Sequence, residues 1–292
     1  MALKGHLIYW QISEFASDKT ELERDLTRWN CQDLLPRNDY KSSVIRALKH
    51  ILKGDDRFYR RFQDVKESVK FAVVLPEELI GDVIDIQFKK EVIITVDKDS
   101  GDVEFDDPNS PLKPIFFDAY ISARKTVDSQ QFRSFLLKVL RKKCHAVSMR
   151  KSGGIYYVNK DWLEELQNVR DIFNLFPKFC TLFEVPIYDD ESTKDAIEVA
   201  VRDDIEDEIE GLLDEIRKRD EEGKVTSKVL QNRREEVKSL VERVRIHAED
   251  LRTKADLLNG RLSEIQDFFG KALTFEENLD KPFSLRDSLA AL

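Results

Sequence analysis

The stretch VKSLVERVRIHAEDLRTKADLLNGRLSEIQDFF, residues 237–269, decides how the C-terminal third of the chain folds. From Val237 to Phe269 its apolar positions alternate steps of four and three residues. This spacing is a heptad seam with a period of 3.5 residues. The stretch therefore predicts one long helix with a single apolar face.

A shorter apolar stripe runs from Ile197 to Ile216 with a mean step close to the 3.6 residues of a straight helix. Between the two stripes, Gly223 can take the left-handed conformation that ends a helix, and Thr226 or Ser227 can cap the next one. A fold-back at residues 223–224 would place residue i opposite residue 448 − i.

Charge supports that fold-back. The acidic run of residues 203–210 falls opposite Lys238, Arg243 and Arg245, and residues 214–215 fall opposite residues 233–234, which are both arginine. Opposite signs across the pairing favour an antiparallel coiled-coil helical hairpin over residues 191–272.

The second helix is the longer of the two, so its distal half lacks a partner within the hairpin. An apolar seam left exposed invites association. We therefore expect this half to pack on the body of the protein or on another subunit. The residues predicted for homo-oligomerisation, or for a protein partner, are Leu251, Leu258, Leu262, Ile265 and Phe269.

Residues 1–190 predict an α+β body of mostly antiparallel sheet with helices, with a possible subdomain boundary in the proline-rich residues 107–114. Residues 83–88 and 91–96 predict a strand pair closed by a turn. Residues 115–158 predict helices followed by a hairpin, in a winged-helix-like order. Residues 273–292 predict a C-terminal tail with a short helix.

Composition narrows the class of protein. The 292 residues carry a net charge of −9, and Cys31, Cys144 and Cys180 are an odd, widely spaced set. They predict no disulfide framework, and the four histidines show no metal-ligand spacing, so we expect no metal, no cofactor and a reducing cytoplasm. No stretch is long and apolar enough to predict a membrane span.

Residues 129–160 contain no Asp or Glu but many bases. A basic helix face followed by a basic hairpin suits phosphate contacts and stacking on bases. The predicted nucleic-acid-binding residues are Arg133, Lys138, Arg141, Lys142, Lys143, Arg150, Lys151 and Tyr156. The alternative interpretation is a solvated helix face paired with acids elsewhere, including residues 203–210.

A second basic group could extend the same surface if the fold brings it near, although alone it predicts ordinary surface charge. Its members are Arg37, Lys41, Arg46, Lys49, Lys53, Arg57, Arg60 and Arg61.

Two further patterns carry possible chemistry. Asp97, Asp99 and Gly101 have part of the spacing of a calcium loop, but a tight hairpin turn is the favoured interpretation because the glycine comes one position early. Carboxylates for a metal-dependent nuclease could come from Asp82, Asp85 and Glu91 beside Lys89 or Lys90.

The hairpin RKSGGIYYV at residues 150–158, with Leu34-Leu35-Pro36 leading into the predicted helix at residues 42–52, resembles an uncharacterised family of bacterial and phage-encoded proteins. The resemblance covers residues 1–175. It implies a phage or mobile-element setting and assigns no catalytic residue.

The sequence thus predicts a non-enzymatic nucleic-acid-associated protein, binding DNA or RNA, that self-assembles through its coiled coil. Two alternatives stay open: a protein-interaction or scaffold module acting through the acidic hairpin, and a metal-dependent nuclease.

Overall fold

A computed structural model describes residues 2–79, 85–151, 153–221, 226–252 and 254–277. The fold is α+β with antiparallel sheets, as the sequence predicts. The strands are β1 (Leu3–Ile12), β2 (Ala16–Asp18), β3 (Phe58–Asp64), β4 (Ser68–Leu79), β5 (Asp85–Asp97), β6 (Val103–Phe105), β7 (Thr126–Asp128), β8 (Val147–Ser148), β9 (Tyr156–Asn159) and β10 (Cys180–Tyr188). The helices are α1 (Lys19–Leu26), α2 (Tyr40–Ile51), α3 (Leu112–Lys125), α4 (Ser129–Lys143), α5 (Leu163–Asn174), α6 (Glu191–Glu221), α7 (Ser227–Ile246), α8 (Ala248–Leu251) and α9 (Lys254–Glu277).

The chain divides into two compact units. One is residues 13–135, called here the inserted unit. The other combines residues 1–12 with the chain from residue 136 onward, and we call it the helical unit. The predicted division at residue 190 stays a prediction.

The inserted unit is built on a four-stranded antiparallel sheet in the order β3-β4-β5-β6. Alternate residues of β4 and β5, such as Phe71 and its partner Ile94, are buried in one core with residues of α2 and α3. Alternation of this kind turns one sheet face to a core and the other away from it. Helix α2 begins where Asp39 accepts a hydrogen bond of 2.6 Å from the backbone N–H of Ser42.

The predicted strand pair at residues 83–88 and 91–96 is wrong. Strand β5 runs without a turn from Asp85 to Asp97 and pairs with β4 along that length, from Asp97 opposite Ser68 to Asp85 opposite Leu79. A register shift beside Glu91 lets the strand continue past residues 89–90, since a bulge inserts a residue without ending the ladder.

The helical unit contains a second four-stranded sheet in the order β10-β1-β9-β8. Strand β10 is an edge strand, and Pro186 lies within it opposite His6 of β1. Proline has no N–H to donate, so it is tolerated in a sheet only on such an edge. Beside it, the rings of Tyr9 and Phe183 stack at 4.8 Å between centroids.

The hairpin formed by β8 and β9 belongs to this sheet, because β9 pairs with β1 as well as with β8. Residues 156–159 are all buried. A separate wing beside two helices, which the winged-helix-like order suggested, is therefore not what these strands form.

The prediction of one continuous helix over residues 237–269 is also wrong. Helix α7 ends at Ile246, the four-residue α8 follows His247, and Arg252 takes a left-handed φ of 50° before α9 begins at Lys254. Left-handed backbone at a residue other than glycine ends a helix. Helix α9 then packs against α7.

The break explains how the distal seam is covered. The five residues assigned to self-assembly, Leu251, Leu258, Leu262, Ile265 and Phe269, are all buried in one core with apolar residues of α6 and α7. The premise that this seam lacks a partner within the two predicted helices is thus wrong, and self-assembly through it stays an untested prediction. The predicted fold-back at residues 223–224 and the tail beyond residue 277 lie outside the described residues.

Candidate nucleic-acid interface

Helix α4 carries most of the predicted basic site, and its side chains divide into two groups. Arg133, Lys138 and Lys142 are exposed, whereas Arg141 and Lys143 are half-buried. The helix begins in the inserted unit and continues in the helical unit. Within the helical unit, two of the predicted cations, Arg141 and Lys151, contact carboxylates of α6.

Arg141 belongs to a cluster of two arginines and two carboxylates. Its guanidinium lies 3.3 Å from Oδ1 of Asp204 and 2.7 Å from Oε1 of Glu208. Arg243, from α7, contacts the same two acids, at 2.8 Å for Glu208. Asp204 and Arg243 are buried. Arg141 is therefore engaged by carboxylates, in the way that the alternative interpretation of the basic segment expects.

The electrostatics of this cluster follow from burial and mutual attraction. Burial raises the pKa of the Asp204 carboxyl, and the two guanidiniums act against that rise. For Arg243, burial lowers the pKa, but Glu208 and Asp204 outweigh it and the net direction is upward. A charge cluster of this kind holds α4, α6 and α7 together rather than offering a cation to a ligand.

The hairpin residues of the predicted site are also occupied. Lys151 lies 2.9 Å from Asp207, and this contact raises the lysine pKa. The Nε of exposed Arg150 donates to the carbonyl of Gly153. Tyr156 is buried and stacks on Trp10, with 5.0 Å between ring centroids and 9° between planes. Tyr156 therefore has no face exposed for stacking on a base.

Arg141, Arg150 and Lys151 line one cavity of about 450 Å³ together with Asp203 and Asp207. Because acids and bases face each other across it, the cavity is not a cationic pocket for phosphate. The sequence could not reveal this neutralisation, since the acids lie more than 50 residues further along the chain.

A buried hydrogen-bond network lies in the same unit. Nε2 of His247 donates to the carbonyl of His145 at 2.9 Å, and its Nδ1 lies 3.2 Å from Asp250. Asp250 also contacts Lys4 at 2.7 Å and accepts from Asn159 at 3.1 Å. Burial raises the pKa of Asp250, but the bonds from His247 and Lys4 outweigh it and hold that pKa below its ordinary value.

His145, the histidine that the basic segment contains, has a structural position. It takes a left-handed φ of 47°, which is costly for a residue with a side chain, and its carbonyl accepts the bond from His247. Burial lowers the pKa of its imidazole. Its ring packs 4.2 Å from Trp162, so it joins α4 to the helical core rather than marking a reactive site.

The second basic group divides in a similar way. Most of its charges on the helix side of the sheet are paired with carboxylates: Lys41 and Arg61 with Asp64, Arg46 with Asp128, and Arg57 with Asp55 and Glu91. Arg60 differs from these residues because it lies on the opposite face of the sheet, which we call the open sheet face.

Strand register defines the open sheet face. Phe58 is opposite Val74 and Lys90, Arg60 is opposite Ala72 and Ile93, and Lys70 is opposite Gln63 and Thr95. Apart from Val74, which is buried beside the register shift, these positions alternate with the buried ones, so their side chains share the other face of the sheet. Within the described chain, neither Arg60 nor Lys70 forms an ion pair.

Aromatic side chains lie beside these cations. The guanidinium of Arg60 is 4.2 Å from the ring centroid of Phe88 and 5.3 Å from that of Phe58. The two rings meet edge to face at 5.3 Å and 88°. Phe88 is 43% exposed, so part of its ring faces solvent beside Arg60. The period-two pattern of residues 58–62 is a sequence signal for this face. Charge alone, which defines the second basic group, does not reveal it.

The structure describes part of the predicted calcium-loop and nuclease motifs. Asp97 accepts hydrogen bonds from the backbone N–H groups of Asp99 and Ser100, which lower its pKa, so the motif forms a hairpin turn as favoured. Glu91 lies 3.3 Å from Arg57, and Lys90 pairs with Asp106. Asp82 and the side chain of Asp85 lie outside the described residues. Among the described side chains, no cluster of three metal-ligand types occurs.

All three cysteines are buried, and burial raises the pKa of the Cys144 thiol to about 12. No helix of the described ranges has the length and apolar character to cross a membrane.

The fold thus defines an α+β protein with two antiparallel four-stranded sheets, one of which exposes a face of cations and aromatic rings. The chain belongs to a family of unknown function, DUF6744, whose model matches residues 3–277. No curated protein and no solved structure matches it. Membership of an uncharacterised family is as the sequence predicts, whereas the phage association stays a prediction.

Proposed function

We propose that this is a non-enzymatic nucleic-acid-associated protein that binds DNA or RNA through the open sheet face. The observation that carries the proposal is a sheet face on which Arg60 and Lys70 have no carboxylate partner within the described chain, beside exposed Phe88. Unpaired cations release counterions when they meet phosphates, and that release drives nucleic-acid binding. Exposed aromatic rings add stacking on bases.

The contact surface proposed here is the open sheet face, not residues 129–160. Arg141 and Lys151 each lie within 3.3 Å of a carboxylate of α6, so a phosphate would have to compete with an existing ion pair. Lys138 and Lys142 are exposed on the same helix and provide a matched comparison.

The test is a salt-dependent binding titration with a fluorescent oligonucleotide, comparing two charge-reversed variants. The first variant combines Arg60→Glu with Lys70→Glu, and the second combines Lys138→Glu with Lys142→Glu. Both change the net charge by the same amount. We expect the first variant to lose binding and the second to retain it. Loss in the second alone would return the site to α4, and absence of wild-type binding at low salt would remove the proposed function.

The antiparallel coiled-coil hairpin remains part of the proposal. Two contacts between α6 and α7 support it: Arg233 lies 2.8 Å from Glu215, and Arg243 contacts Asp204 and Glu208. Both are close to the pairing of residue i with residue 448 − i. Cysteines introduced at Arg233 and Glu215 should form a disulfide under oxidation, whereas cysteines at Arg233 and Asp195 should not.

Self-assembly, a cytoplasmic location and a phage or mobile-element setting also remain proposals from the sequence. Light scattering across a concentration series tests the first. A mass independent of concentration would remove self-assembly and leave nucleic-acid binding unaffected.

The scaffold alternative has less support, because its acidic contact residues are engaged within the chain. Asp204 contacts two arginines and Asp207 contacts Lys151. Charge reversal at Asp204 should therefore destabilise the fold instead of removing a partner selectively.

A further inference from the structure

We propose that the open sheet face binds single-stranded nucleic acid in preference to duplex, with a base stacked against the Arg60–Phe88 pair. This inference rests on the proposed function and adds the form of nucleic acid and the manner of contact. The surface consists of residues contributed by β3, β4 and β5.

The guanidinium of Arg60 lies over two aromatic rings. Its central carbon is 4.2 Å from the Phe88 centroid and 5.3 Å from that of Phe58. A guanidinium held on an aromatic ring keeps its planar shape and offers it to a nucleobase, which stacks on guanidinium planes as well as on rings. Arg60 is exposed, so a nucleobase can stack on the solvent-facing side of its guanidinium.

An apolar strip lies in the row of the sheet that contains the backbone of Arg60. Ala72 and Ile93 occupy that row and are half-buried. They form a low apolar floor two rows along β5 from Phe88. Lys70 lies in the adjacent row of the same face, about 7 Å along the strand, because successive residues on one face are two positions apart. A base on the floor therefore leaves its phosphate near a lysine.

The width of the surface also favours a single strand. Its three strands, spaced about 4.8 Å apart, make it one strand wider than a two-stranded ribbon. The major groove of duplex DNA is about 12 Å wide and admits a helix or a two-stranded ribbon. The open sheet face therefore cannot enter the groove, and its aromatic rings would meet only the duplex backbone. A single strand can turn its bases toward the rings instead.

The experiment separates stacking from charge with three conservative variants. Phe88→Leu removes a ring and keeps an apolar side chain. Arg60→Lys keeps the charge and removes the planar guanidinium. Lys70→Gln removes one charge and no ring. Each is titrated against a mixed-sequence single-stranded DNA, the same sequence as RNA, and the corresponding DNA duplex, at several salt concentrations, after circular dichroism melting has confirmed a wild-type fold.

We expect wild type to bind at least one single strand about tenfold or more tighter than duplex. Phe88→Leu and Arg60→Lys should each weaken single-strand binding by about tenfold without changing the slope of log K against log salt. Lys70→Gln should reduce that slope by about one.

The outcomes distinguish this inference from the proposed function. Equal affinity for duplex and single strand would overturn the preference and leave nucleic-acid binding in place. Stacking would also be overturned if Phe88→Leu and Arg60→Lys bound like wild type while Lys70→Gln still weakened binding. Binding to no oligonucleotide at low salt would overturn both.

Discussion

The two basic regions of this protein differ in how their charges are used. Residues 129–160 are the most basic stretch of the sequence, yet Arg141 and Lys151 meet carboxylates of α6. The open sheet face has fewer cations, but Arg60 and Lys70 have no such partners in the described chain. The difference teaches that the density of bases in a stretch of sequence does not predict the electrostatic potential of the surface it forms. Acids from distant parts of the chain can neutralise those bases and make them unavailable to a ligand.

The largest expected effect contrasts a buried arginine with an exposed one. Arg243→Leu leaves Asp204 and Glu208 without their buried partner, and the free energy of unfolding should fall by about 3 to 5 kcal/mol. Arg60→Leu should change the urea midpoint far less, since Arg60 is exposed and contacts aromatic rings rather than carboxylates. Urea denaturation followed by circular dichroism measures both. Equal midpoints for the two variants would mean that the cluster contributes nothing to the fold.

The next effect sharpens the contrast within α9. Leu262 is fully buried, whereas Leu257 is 71% exposed. Leu262→Ala should lower the free energy of unfolding by about 3 kcal/mol through lost burial and a cavity. Leu257→Ala is the matched control and should be nearly silent. A stable Leu262→Ala variant with an altered mass in light scattering would instead support an intermolecular seam.

A smaller effect concerns Asp250. Asp250→Asn should cost about 2 kcal/mol, because hydrogen bonds to the charged carboxylate are lost. The pKa of Asp250 is lowered in the folded protein, so its contribution is fully present above the unfolded value of about 3.9 and is lost as pH falls through the folded value. The stability difference between wild type and variant should therefore narrow below pH 4. A difference that stays constant with pH would show that the carboxylate charge is not what matters.

The smallest effect is at Lys151, whose side chain is 79% exposed although it pairs with Asp207. Exposed pairs of this kind contribute little, because water and salt screen them. Lys151→Ala should leave the melting temperature unchanged, in contrast to Arg243→Leu. A clear fall would place Lys151 with the buried cluster instead of the solvent.

Local patterns predicted much of the fold. Helix α2, the turn at Asp97 and the hydroxyl cap of Thr226 on α7 all depend on neighbours within a few residues, and sequence spacing identifies them. The break at Arg252 was missed because a heptad pattern is compatible with either one helix or two that share a core.

The site was harder to predict than the fold. Arg141 is paired with Asp204, and Tyr156 is stacked on Trp10. Both partners lie far away in sequence, so the availability of the two side chains cannot be predicted from their neighbours. The aromatic and cationic cluster of the open sheet face depends on contacts between strands, since Arg60 and Phe58 lie on β3 whereas Phe88 lies on β5. Composition carries no information about such partners.

Pro186 has a consequence for the protein at high concentration. The exposed side chains of Phe183 and Val185 make β10 attractive to another extended chain, and an unprotected edge of this kind is where sheets from separate molecules join. A proline in that edge interrupts the row of donors, so a fifth strand could not continue the ladder past it. One ring in one strand thus helps to keep crowded copies of this protein from growing into fibres.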